Sequence, residues 1–163
     1  MEVRIEQRGG IHWGAATQAG IIGGTLFLAL QFLLVPLFLG GSAWVPLRMT
    51  AAIVLGREVL PPPATFEAGV MMTAVLVHFM LSVLFGILLA AALRRTSYEL
   101  GMLGGAVFGL TLYFVNYYLM TAVFPWFVAG RNWVSVFSHI AFGIAAAWGY
   151  FATTSRRPRA RAP

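Results

Sequence analysis

The chain has 163 residues, 60% of them hydrophobic and only 10% charged, with a mean hydropathy of +0.82. Soluble domains carry roughly 25% charged residues, so this composition excludes an ordinary water-soluble domain and belongs in lipid. The net charge of +6 comes from eleven arginines, with no lysine or aspartate, and their placement at the ends of apolar runs points to anionic headgroups rather than nucleic acid.

Uncharged runs cover residues 9–47, 68–93, 100–130 and 132–155. Each exceeds the ~20 residues needed to cross a bilayer. They predict an all-α polytopic membrane protein with four transmembrane helices, near 14–39, 69–93, 100–124 and 133–153. Residues 1–155 then form one four-helix bundle, and 156–163 a disordered basic tail. MEVRIEQRGG is a polar lead, with His12 and Trp13 at headgroup level. It is not a cleavable signal: the apolar run is too long, and Glu2 and Glu6 sit among the leading charges.

In the first span Gly20 and Gly24 form a GxxxG, which lets another helix approach closely. Pro36 predicts a kink or an early end. Residues 40–67 make the longer outer loop. Pro46 suits a first helical turn and Gly56 a helix end, so VPLRMTAAIVL reads as a short helix on the membrane surface. The prolines of LPPPATFE predict extended backbone, with Thr65 able to cap the second span. Glu67 falls in that span's first turn, where the helix dipole favours an anion; a proton-relay role is its other reading.

The second span carries a ridge of small and polar residues four apart: Ala74, His78, Ser82, Gly86 and Ala90. It ends at Arg94 and Arg95, and RRTSYE makes a tight inner turn. The third span opens with Gly101, Gly105 and Gly109 on one face, and its outer half, LYFVNYYLM, is crowded with aromatics. TAVFPWFVAGRNW forms the second outer loop, where Trp126 and Trp133 suit the membrane interface. The fourth span repeats the ridge as Ser135, His139, Gly143 and Ala147.

Arg4, Arg8, Arg94, Arg95, Arg156, Arg157, Arg159 and Arg161 fall on one side of the membrane, and only Arg48, Arg57 and Arg131 on the other. The positive-inside rule places both termini in the cytoplasm, in a bacterial-type inner membrane. Gly20–Phe27 and Gly101–Phe108 share the pattern GxxGGxxF, and each precedes a span bearing the histidine ridge. The chain thus reads as two tandem hairpins, a parallel repeat. Gly20, Gly24, Gly86, Gly101, Gly105, Gly109 and Gly143 are the expected packing positions.

At 1.5 Å per residue, Gln31, His78, Asn116 and His139 all fall roughly 21–27 Å from the inner surface. With Ser82 they predict a polar layer in which matching faces of the two repeats converge. Hydrogen bonds within such a layer specify which helices pair. Polar groups at this depth also mark working sites. His78 and His139 have the residue types for the two axial ligands of a haem b. Met71, Met72, Met80 and Met120 admit copper(I) as another cofactor. A proton path through the histidines, aided by Tyr113 and Tyr117, is a further reading. Cysteine is absent, and so are mid-membrane carboxylates, HExxH, Gly-x-Ser-x-Gly and phosphate loops, so no enzyme chemistry is expected.

HFMLSVLFG, the glycine-led third span, and FPWF followed by NWVSVFSH together resemble the YagU-like family of small bacterial inner-membrane proteins. The resemblance covers the second to fourth spans and implies topology and location, not chemistry. Asn116 stands where that family is expected to carry a further histidine. The expected function is an accessory subunit of a larger inner-membrane assembly, with exposed aromatics such as Phe79, Phe114 and Tyr118 against lipid, other subunits or further copies of the chain. A small oligomeric transporter or channel is the alternative.

Overall fold

The computed structural model describes residues 10–155; the expected basic tail at 156–163 lies outside them. The described residues form helices and no strand. They are α1 (Trp13–Leu39), α2 (Trp44–Leu55), α3 (Ala68–Leu93), α4 (Tyr98–Phe114) and α5 (Trp133–Ser155), with short 3-10 turns between them. Four helical stretches are long and apolar enough to cross a membrane: Trp13–Leu39, Ala68–Leu93, Tyr98–Ala122 and Trp133–Thr154. The protein is therefore an all-helical membrane protein.

Helix ends follow local chemistry. The α1 helix stops at Gly40, whose φ of 64° is left-handed and open to glycine. It runs through Pro36 to Leu39 and does not end early. In the last turn a proline removes one hydrogen bond and little else. Ser97 caps α4 by accepting from the Leu100 N–H, and Asn132 Oδ1 accepts from the Ser135 N–H at the start of α5. Thr65 does not cap α3. The capping position falls to Glu67, which makes no side-chain cap bond, while the Thr65 carbonyl accepts from Arg48 Nε at 2.9 Å. Residues 60–63 bend rather than run straight, and the Pro61–Pro62 and Pro62–Pro63 peptides are cis.

The helices stand in the order α3, α1, α5, α4, with large contacts between neighbours and almost none between α3 and α4. Small residues make the seams. A Cβ on Gly86 would come 2.5 Å from the Gly20 nitrogen, and one on Gly20 would come 2.6 Å from Val83 Cα. On the other side, a Cβ on Gly143 would lie 2.9 Å from the Gly109 nitrogen, while Gly101 sits under the Phe151 ring. Between these pairs, Ala15, Ala16, Ala19, Ala146, Ala147 and Tyr150 are buried in one core with Leu89, Ala90 and Leu93. Backbones this close gain dispersion contact that bulkier residues would forbid.

This order corrects the expected convergence of matching faces of the two repeats. The glycine faces of the first and third spans do not converge, because α5 stands between α1 and α4. Gly20 and Gly24 face α3, while Gly105 and Gly109 face α5. The reason is that each glycine ridge is matched by a small-residue ridge on the adjacent hairpin partner.

The α2 helix packs Leu47 and Ala51 against Val70, Met71 and Ala74 of α3, with Leu28 of α1 alongside. Its Arg48, only 4% exposed, donates to the carbonyls of Val59 and Thr65 and lies 3.4 Å from Glu67 Oε2. The Trp126 indole donates to the Met49 carbonyl at 3.0 Å, tying the segment between α4 and α5 to α2. Glu67 thus has a cationic partner, which the dipole and proton-relay readings did not include.

Candidate functional site

Because α3 and α4 hardly touch, a space remains between them toward the end of the bundle away from the termini. It is a cavity of about 350 Å³. That is within the usual size range of small-molecule sites, about 300–1,000 Å³. Leu84 belongs to its wall and is also 48% exposed on the outer surface of α3, so the cavity reaches the surface through the α3–α4 gap. Thr50 and Ile53 of α2 and Phe124 and Phe127 of the segment between α4 and α5 close its far end.

A change in helix type shapes the α4 wall. After Phe114 the helix widens into a π turn, Val115–Leu119, and then tightens to a 3-10 turn, Met120–Ala122. The Tyr117 carbonyl accepts from Arg131 Nε at 2.7 Å, and the Arg131 guanidinium lies 4.3 Å from the Tyr118 ring centre. Arg131, just before α5, therefore satisfies a backbone group within the widened turn. Single π turns in helices often accompany functional sites. Asn116 and Tyr117, both within this one, line the cavity.

Two histidines enter from opposite flanks. His78 Nε2 lies 2.9 Å from the Gly24 carbonyl. A carbonyl only accepts, so Nε2 carries the proton and Nδ1 keeps its lone pair. His139 Nδ1 donates to the Ser135 carbonyl at 2.7 Å, leaving Nε2 to accept from Asn116 Nδ2 at 3.1 Å. One backbone carbonyl thereby sets the imidazole tautomer, and the tautomer sets the amide. The Asn116 Oδ1 and its second N–H make no bond to any described residue.

The polar side chains do not form a single layer. His78 and Ser82, 3.4 Å apart, make one group with Gly24, and Asn116 and His139 make another. Phe27 separates them, its ring centre 5.6 Å from the His78 ring and 4.8 Å from the His139 ring. Gln31 belongs to neither, and its buried Nε2 has no hydrogen-bond partner among the described residues. Gln31 and Asn116 also do not meet, because their helices are not neighbours in the row.

The same geometry bears on cofactors. A bis-histidine haem needs two free imidazole nitrogens facing each other across a slot. Here Phe27 lies between the rings and both His139 nitrogens are engaged. The methionines are also dispersed: Met71 is buried against α2, Met72 and Met80 face outward, and Met120 lines the cavity. Among the described residues no three His, Cys, Asp or Glu side chains cluster to hold a metal.

Sequence reasoning had singled out His78, Ser82, Asn116, His139 and Tyr117, all of which line the cavity. It missed Phe27 as the divider and Thr50 and Phe127 as wall residues. Phe27 carried a signal, as the last residue of the repeated GxxGGxxF pattern. Of the expected partner-facing aromatics, Phe114 and Tyr118 are exposed, whereas Phe79 is half-buried with its ring 5.2 Å from that of His78. No protein-family model matches the chain, and no curated protein or solved structure is detectably similar to it.

Proposed function

We propose that this is an integral inner-membrane accessory subunit, not an enzyme, that holds a lipid-borne apolar molecule in the cavity between α3 and α4. The observation that carries this reading is the cavity itself, walled mainly by apolar side chains and reaching the surface at Leu84. A site at this depth that opens between helices is loaded from the bilayer rather than from water. The small bundle and its exposed aromatic side chains suit work alongside other membrane subunits or further copies of the chain. The resemblance to YagU-like proteins agrees with such a location.

Leu84→Trp tests the binding reading, since a larger ring at an exposed position fills the mouth without entering a helix seam. Protein purified in mild detergent is expected to carry about one apolar molecule per chain, extractable in organic solvent, and Leu84→Trp to carry far less. Equal or empty extracts from both proteins would overturn the reading. So would solute or proton flux from the pure protein in liposomes, which belongs to the transporter alternative.

Two further outcomes follow. Reporter fusions at residue 163 should report a cytoplasmic C-terminus, and insertions within 125–132 an external loop, because eight arginines lie on the inner side. The purified protein should lack a Soret band. A band abolished by His78→Ala or His139→Ala would restore the haem reading.

A further inference from the structure

We infer that the molecule held in the cavity is a quinone or quinol: a planar, uncharged ring with oxygen functions at opposite edges and an isoprenoid tail. This rests on the reading of the cavity as a lipid-loaded site and goes further, to the chemistry of the head.

Charge comes first. The residues lining the cavity include no arginine, lysine, aspartate or glutamate. A carboxylate or phosphate head would lie there without a counter-charge, and a buried unpaired ion is strongly unfavourable. Fatty acids and phospholipids are therefore poor occupants.

Shape comes second. Five phenylalanines and Tyr117 contribute rings to the wall, Phe27, Phe85 and Phe142 among them. Aromatic faces and edges favour a flat ring by offset stacking and edge contacts. The opening at Leu84 gives an attached chain a way out between α3 and α4 into lipid.

Hydrogen bonding comes third. On the α3 flank stand His78 and the Ser82 hydroxyl; on the α4 flank stands the Asn116 amide, oriented by His139. Ser82 and the spare Asn116 N–H can each donate to a carbonyl oxygen. The Ser82 oxygen and Asn116 Oδ1 can each accept from a hydroxyl. The two flanks thus offer a donor and an acceptor apiece, which suits the paired carbonyls of a quinone and the paired hydroxyls of a quinol. An isoprenoid alcohol, with one oxygen, would satisfy one flank only.

The test uses the full chain in phosphatidylcholine nanodiscs, titrated with decylubiquinone, farnesol or decanoate, with retained ligand counted against empty nanodiscs. Decylubiquinone is expected to bind at one per chain in excess of partitioning. Loss of one hydrogen-bonding flank in Asn116→Leu should weaken it about tenfold. Leu84→Trp should abolish it, and Met72→Trp, on an outward-facing position, should leave it unchanged. Because Leu84 is exposed, its variant keeps the inference testable if Asn116→Leu fails to fold. Stoichiometric farnesol or decanoate binding without decylubiquinone binding would overturn the quinone assignment and leave the lipid-loaded cavity standing. Absence of binding by all three, together with empty extracts, would overturn both.

Discussion

Gly143→Leu is expected to be the most damaging single substitution in the bundle, lowering stability by about 3 kcal/mol and preventing α4 from docking on α5. The side chain would start from a Cβ only 2.9 Å from the Gly109 nitrogen and closer still to the Gly105 carbonyl. Those neighbours are backbone, so nothing short of moving a helix relieves the overlap. Thermal unfolding in mild detergent, followed by tryptophan fluorescence, measures the effect. Two controls make it interpretable. A Cβ on Gly69 meets nothing within 4 Å, so Gly69→Ala should be neutral or slightly stabilising through lost unfolded-state entropy. The nearest neighbour of a Cβ on Gly149 is the tip of the Ile22 side chain, 2.8 Å away, which can swing aside, so Gly149→Ala should change stability by less than about 1 kcal/mol. Equal losses in all three variants would mean that close approach does not govern these positions, since helix propensity alone would make each substitution stabilising.

Arg48→Met is the second large effect. The guanidinium is 4% exposed and donates to the Val59 and Thr65 carbonyls at 3.0 and 2.9 Å. Methionine keeps much of the apolar stem but leaves both part-buried acceptors unpaired, at about 1 kcal/mol or somewhat more for each, the low end of the cost of an unmet buried group because Thr65 is exposed. A loss of about 2–3 kcal/mol should lower the unfolding midpoint by about 5–10 °C in a chain of this size. The Glu67 contact is a minor part of this, since that carboxylate side is 63% exposed and 3.4 Å away. Exposed ion pairs contribute about 0–1 kcal/mol, so Glu67→Gln should be nearly silent. If Glu67→Gln matched Arg48→Met, the ion pair rather than the carbonyls would be holding the segment between α2 and α3. Because α2 closes the far end of the cavity through Thr50 and Ile53, Arg48→Met should also weaken ligand retention.

The sequence by itself determined the class of molecule and the location of its helices. Hydropathy and charge act along the chain: a run of about 20 uncharged apolar residues must be helical in lipid, because every backbone N–H and C=O has to be satisfied within the segment. The same local logic found the glycine ridges, since residues four apart share a helix face. It also found His78, Ser82, Asn116 and His139 as polar groups out of place in an apolar setting. Which ridges meet was decided by tertiary structure alone. Gly20 could have faced Gly101 as readily as Gly86 by spacing alone; the observed match puts α5 between α1 and α4 and leaves α3 and α4 apart. From that gap come the cavity, the division of the polar groups by Phe27, and the isolation of Gln31. The widened turn at Val115–Leu119 was equally hidden, because its partner, Arg131, reaches it from a separate loop. Residue patterns along one helix record which face is small or polar, while the identity of the neighbour depends on how all the helices share a limited set of close approaches.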